Sequence, residues 1–370
     1  MEKLANFRSA YSFVMSIVAE PASSSEHGLH RPQLLNDERL ALISVVCLAL
    51  GIRIVWVLLF MHPAAPGPGI EGDELTYVYS AHRFITWFQA GRLVLTPDLQ
   101  YNDTHPILVR ILFALGIYTM GGYLGDMTAA RLVSAVGGSI GTIAMYYLGR
   151  VLFQKRSTAV ALAVSFSFSP VYFGVSTTAV LDGISVAFIL IALFFLLNAK
   201  LTRTFDENII LSGIFLGLGL ASKLLAVIAA LVASVYVALD NSVGLSKRLI
   251  AIVVLGCVTS VVFLVVQPRM WFDPIKRISE TYLLNVRHFE LGHPIPLNSL
   301  LVGSGIWFGA RVAPPWWAML YWVTVTASPF QLIGIALLIF SVRRIIPELK
   351  NMRVKISLLM FAIPLVYLII

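Results

Sequence analysis

Long apolar runs separated by short polar connectors organise this chain. Runs of roughly span length fall at 40–60, 129–148, 158–175, 181–197, 209–222, 224–239, 249–267, 317–341 and 356–370. A helix of about 20 apolar residues crosses a hydrocarbon core about 30 Å thick. The pattern therefore predicts an all-α polytopic membrane protein with about nine transmembrane helices. The runs at 209–222 and 224–239 are short, as tilted or re-entrant segments are. A further apolar segment, "HPILVRILFALGIYTMGGYLG" at 105–125, carries Arg110 in its first half. It is expected to lie at the membrane interface rather than to cross.

Two long segments separate the spans on one side, 61–128 and 268–316, while the loops on the other side are short. Those short loops, with the N-terminal stretch, carry most of the 27 Lys and Arg residues. Basic residues favour the cytoplasmic side, so the N-terminus is expected to be cytoplasmic and the two long segments outside or lumenal. Residues 1–39 hold one weak apolar run, Tyr11 to Val18, followed by polar residues and a Pro. They read as a cytoplasmic arm that stays attached, and 40–370 as the membrane domain.

Composition agrees with the bilayer as solvent: 58% of the residues are apolar and 12% charged, against about 25% charged in ordinary soluble domains. The net charge of +8 is spread over loops rather than gathered in a patch, which excludes nucleic acid as the expected partner and is explained by orientation. Cys47 and Cys257 each lie inside an apolar span and are assigned no function. No Gly-rich phosphate loop, zinc-type cluster or serine-nucleophile elbow occurs. No cofactor is required by this pattern, and it leaves metal dependence open.

The chemistry-bearing residues are far apart in sequence but fall on one face under this topology. In "HPAAPGPGIEGDELTYVYSAHRF" (62–84), Pro and Gly end the first span, and Asp73 and Glu74 open an aromatic helix that includes Tyr77. Acids there cap a helix and favour its dipole; alternatively a carboxylate at the membrane face serves as a general base. His105 and Arg110 follow in "NDTHPILVR", Arg131 in "TAARLVSAVGG", Asp182 in "VLDGISVAF" and Lys223 in "GLGLASKLLAV". Arg131 either snorkels to the headgroups or meets an anion. Charges at the boundary of apolar spans are functional candidates by default. Cations for an anionic leaving group and a carboxylate for an attacking hydroxyl are the division of labour that transfer from a phosphate requires.

The same motifs resemble the polyprenyl-phosphate-sugar-dependent glycosyltransferases of the GT-C fold, especially the dolichyl-phosphate-mannose protein O-mannosyltransferases. The resemblance rests on "GDELTYVY", "HPIL" against the family's His-Pro-Pro-Leu, "ARLVSAVGG", "VLDGISVAF" and "GLGLASKLLAV", in the family's order. It continues through "QPRMWFDP" (267–274) and "PPWWAMLYWVTVTASPFQLIGI" (314–335). It implies a membrane enzyme that moves a monosaccharide, mannose in those mannosyltransferases, from a polyprenyl or dolichyl phosphate to a hydroxyl acceptor, protein Ser or Thr there, with inversion. The site would face the cell exterior or the lumen, in the plasma membrane or endoplasmic reticulum. Asp73 matches the family's catalytic acid, with Glu74 beside it, and Arg131 and Lys223 match basic positions able to hold the lipid phosphate. Tyr77, His105, Arg110 and Asp182 are further substrate-binding candidates, although Ile107 stands where the family has its second Pro. The implied partners are the lipid-linked sugar, membrane lipids and a protein or lipid acceptor. A truncated chain or a compact family member would each explain an end inside an apolar segment. The competing class is a transporter or lipid flippase, for which inverted repeats and mid-membrane helix breaks are expected; no repeat is visible.

Overall fold

A computed structural model of the chain describes residues 31–61, 71–91, 105–202, 206–240, 242–271, 273–291, 295–297 and 306–308. The expected spans at 317–341 and 356–370 lie outside the described residues. Contacts divide the chain into two units, Met1–Leu40 and Ala41–Ile370. In the first, the described residues from Arg31 onward are helical.

Eleven helices are described: α1 (Arg31–Leu59), α2 (Glu71–Gln89), α3 (Leu108–Leu124), α4 (Asp126–Phe153), α5 (Arg156–Ser167), α6 (Pro170–Val175), α7 (Asp182–Asn198), α8 (Glu207–Ser222), α9 (Ala226–Ala238), α10 (Leu245–Val266) and α11 (Pro274–Leu291). A 3-10 turn, Pro268–Met270, joins the last two. Two three-residue strands, Ile295–Leu297 and Ile306–Phe308, pair antiparallel with Pro296 opposite Trp307. The chain is an all-α integral membrane protein, as its hydrophobic pattern requires. Arg39–Leu59, Asp126–Phe153 and Leu245–Val266 are long and apolar enough to cross a membrane, and α3, α7, α8 and α9 are shorter apolar helices.

The expected single span at 158–175 is instead two helices, α5 and α6, meeting at Phe168 and Ser169. Pro170 sits at the first position of α6 and offers no N–H to continue the α5 ladder. The Pro ring also pushes the residue before it out of helical geometry, and Ser169 has φ −58° and ψ 126°. Lys223, the C-cap of α8, is extended, with φ −152° and ψ 128°. It separates the two short apolar helices. Asp206 starts α8 properly, accepting the Asn208 N–H at 2.9 Å. Between α3 and α4 only Gly125 intervenes, and its φ of +81° is one that glycine adopts without a Cβ clash.

Burial is arranged for a lipid environment. Ile43, Leu231, Val253, Val261 and Val265 face outward, whereas Arg53, Arg110, Arg131 and Glu74 are among the most completely buried side chains. Close helix contacts use small residues, as is usual where lipid supplies no hydrophobic drive between helices. A Cβ on Gly217 of α8 would come 2.7 Å from the Thr259 carbonyl oxygen of α10. One cluster of buried side chains joins α2, α3, α4 and the start of α7, and a second joins α4 to α7, α8, α9 and α10.

Cross-helix bonds show which ends meet. Near the C-terminal end of α1, Arg53 bonds Ser176; Glu74 of α2 meets Arg131 of α4; Asp182 of α7 meets Lys223; and Gln267 after α10 donates to the Ala221 carbonyl. All of these lie at one end of the unit. The basic loop residues Lys247 and Arg248 close the other end, on the carbonyls of Thr202 and Ala238.

Candidate functional site

Asp73 and Glu74 are adjacent in the first turn of α2, so a helical step of about 100° points them in different directions. Asp73 is exposed and Glu74 is wholly buried. Glu74 accepts from Arg131 at both oxygens, Nε to Oε1 at 2.7 Å and Nη2 to Oε2 at 2.8 Å, and from the Ala179 N–H at 2.7 Å. This is a bidentate, charge-assisted pair, with Arg131 only 1% exposed. Arg131, expected on the sequence as a phosphate-binding cation, and Glu74, expected as a catalytic acid beside Asp73, are engaged with each other. The physical reason is burial, since neither charge is tolerated inside without the other.

Arg110, a substrate-binding candidate on the sequence, is engaged inside the protein as well. Its guanidinium is buried and donates to Ser80 Oγ at 3.0 Å, the His105 carbonyl at 2.7 Å and the Pro106 carbonyl at 3.4 Å. It also lies 6.0 Å from the centroid of the Phe84 ring. Arg110 therefore ties the start of α3 to α2. The same interactions fix the backbone of His105, whose ring stands edge-on to Tyr77 at 5.7 Å.

Tyr77 is one helical turn beyond Asp73 and nearly buried. Burial raises its phenol above the ordinary tyrosine range; the carboxylates of Asp73 and Asp182 add to the rise and Arg110 opposes it. The Tyr77 hydroxyl thus stays protonated, a hydrogen-bond donor in the field of two acids. Asp182 occupies the first turn of α7 and pairs with Lys223. Their side chains are 34% and 23% exposed, respectively, so this pair remains open to an incoming group.

Sequence reasoning missed three contributors. Ala179 acts through its backbone N–H, which no residue identity signals. Arg53, the one charge within the first expected span, was visible as a polar outlier in the apolar run 40–60 and is buried in the bundle. His82 meets Asp126 at 3.1 Å, an exposed contact between α2 and the start of α4.

Residues 104–271 match the family model described as dolichyl-phosphate-mannose-protein mannosyltransferase. The match covers a little less than half of the chain and includes Arg131, Asp182 and Lys223, while Asp73 and Glu74 lie before it. The chain resembles this family, as its motifs led us to expect. Two solved structures are similar. ArnT from Cupriavidus metallidurans, bound to undecaprenyl phosphate, is 20% identical over 65% of this chain and 44% of its own, with a TM-score of 0.49. The S. cerevisiae protein O-mannosyltransferase Pmt1–Pmt2 complex, bound to its sugar donor, is 19% identical over 62% of this chain and 33% of its own, with a TM-score of 0.44. The chain spans less than half the length of either. Comparison with curated protein sequences finds no significant match.

Proposed function

We propose that this protein is a membrane glycosyltransferase that moves a monosaccharide from a polyprenyl-phosphate donor to a hydroxyl group, with inversion. The observation that carries the reading is that Tyr77 lies one turn from an exposed acid, Asp73, and also feels the charge of Asp182, which with Lys223 forms a partly exposed pair, in a chain that resembles a family using such donors. Asp73 takes the proton of the acceptor hydroxyl as its oxygen attacks the anomeric carbon. The bond from that carbon to the phosphate oxygen breaks, and polyprenyl phosphate departs with the electron pair. Lys223 is the cation placed to meet the phosphate charge as it grows, with Asp182 orienting its ammonium group. The Tyr77 hydroxyl and His105 line the sugar side.

Mannose as the sugar and protein Ser or Thr as the acceptor follow from the resemblance alone; the same donor chemistry serves a lipid or lipid-linked glycan acceptor. We place the site on the non-cytoplasmic side, in the lumen or outside the cell, with the N-terminus cytoplasmic. The separation of the site from the basic loops supports that orientation. The deciding experiment offers the purified full chain a panel of polyprenyl-phosphate sugars and nucleotide sugars, with hydroxyl-bearing peptides and lipids as acceptors. Sugar transfer from a polyprenyl phosphate is the expected result. Transfer from a nucleotide sugar alone overturns the donor assignment.

A further inference from the structure

Arg53 is the one buried arginine among Arg53, Arg110 and Arg131 to which neither motif nor resemblance assigned anything. It lies on α1, a helix long and apolar enough to cross a membrane, and is 1% exposed. A guanidinium stays charged, and an arginine in such a helix ordinarily extends toward the interface. This one turns inward. Nε donates to Ser176 Oγ at 2.7 Å, Nη1 to Ser167 Oγ at 2.7 Å and to the Ala49 carbonyl at 2.9 Å, and Nη2 to the Ser167 carbonyl at 3.1 Å. Its carbon Cζ is 5.5 Å from the ring centroids of both Tyr172 and Phe173. Among the described residues, every one of these partners is neutral.

The acceptors share one feature: apart from Ala49 on its own helix, they belong to the break between α5 and α7. Ser167 ends α5, where unsatisfied carbonyls favour a cation. Ser176 caps α6 and begins the buried turn 176–181. In that turn the hydroxyls of Thr177 and Thr178 fold back on the Phe173 and Gly174 carbonyls. Ala179 then gives its N–H to Glu74, and α7 opens with Asp182. A lone buried charge is costly, and here its hydrogen bonds converge on the segment that positions both carboxylate pairs of the site.

We propose that Arg53 is a positioning residue. By holding the C-terminal ends of both α5 and α6, at Ser167 and Ser176, it sets the turn that grips Glu74 through Ala179 and aims Asp182 at Lys223. Gly138 of α4 provides an independent handle. A Cβ there would collide with Ser176 and come 3.1 Å from Arg53 Nε, so the bond between Arg53 and Ser176 must shift without any change of charge.

The proposal rests on the glycosyltransferase reading for its effect on rate, and the test separates the two. Arg53→Gln, Arg53→Lys and Gly138→Ala are made in the full chain, and amide hydrogen exchange is measured together with transfer kinetics. Losing charge-assisted bonds to the turn should speed exchange across 167–182 by about tenfold or more while α8 and α10 keep wild-type rates. In Arg53→Gln and Gly138→Ala, kcat should fall by about tenfold with the donor KM within about twofold, and Arg53→Lys should recover part of the loss. Faster exchange everywhere alike, an unchanged turn, or a loosened turn with wild-type kcat overturns the proposal. If Arg53→Gln does not fold, wild-type exchange at 176–182 in both other variants overturns it. If the wild-type protein transfers no sugar from a polyprenyl phosphate, the functional reading fails, and the exchange pattern still decides whether Arg53 holds the turn.

Discussion

Two carboxylate–cation pairs occupy the same end of the molecule and are built in opposite ways. Glu74 and Arg131 are 0% and 1% exposed, share two hydrogen bonds, and have a backbone N–H closing the carboxylate from a third direction. Asp182 and Lys223 make a single contact and keep a third and a quarter of their surfaces open. A buried pair of this kind has repaid its desolvation only through its full set of bonds. An open pair exchanges partners cheaply, because exposed ion pairs are worth about 0–1 kcal/mol. The same residue types therefore sit in two different settings, with the closed pair holding α2, α4 and the 176–181 turn together and the open pair being the one that meets substrate under the proposed function. Asp73, one residue from Glu74, belongs with the open group.

The largest expected effect tests that last assignment. Asp73→Asn should leave the melting temperature near that of wild type, because Asp73 is exposed in the first turn of α2 and its loss removes only a charge–dipole contribution of about 0.3–1 kcal/mol, while transfer falls by about 10²–10⁴, the usual worth of a general base. Wild-type transfer by the Asn variant would remove Asp73 from the chemistry. Next in size, Glu74→Gln strands a buried guanidinium and should destabilise the fold by about 3–5 kcal/mol, read as lost thermal stability in detergent. Joint replacement by Glu74→Leu and Arg131→Met should recover much of that stability. A Glu74→Gln protein that melts like wild type would dissolve the contrast between the pairs.

Lys223→Ala should do the reverse. Its stability should move by no more than about 1 kcal/mol, while donor binding weakens by about 10- to 100-fold through loss of a charge-assisted contact; isothermal titration with a polyprenyl-phosphate sugar measures it. Unchanged donor affinity would make Lys223 a partner of Asp182 and nothing more. The smallest effect concerns Tyr77. Its folded-state phenol is raised above the ordinary value near 10, so its contribution to stability is complete below that pH and declines as pH rises beyond it. Tyr77→Phe should leave the pH–rate profile unchanged below about pH 9 and soften only the alkaline loss of stability, which denaturation at pH 8 and 11 would show.

The sequence by itself determined the solvent and the helical class, and it supplied the residues of the proposed site. Blocks of apolar residues near span length leave helices as the answer, since backbone groups in lipid must be satisfied within the segment. The helices at 40–60, 129–148, 181–197, 209–222, 224–239 and 249–267 follow from those blocks, with Lys223 legible as the polar interruption between two of them. Asp73, Asp182 and Lys223 could be read as candidates because a charge beside an apolar run stands out. Pro170 was equally legible, yet the break at 158–175 passed as a continuous span because its flanks are apolar on both sides. What tertiary structure alone decided is which charges face one another. Arg131 and Lys223 look alike in sequence, each a lone cation at the end of an apolar helix, and periodicity cannot tell a guanidinium closed off by Glu74 from an ammonium left half open beside Asp182. That distinction depends on where α2 and the 176–181 turn pack, and burial rather than residue type then sets whether a charge binds the protein to itself or remains free to meet a substrate.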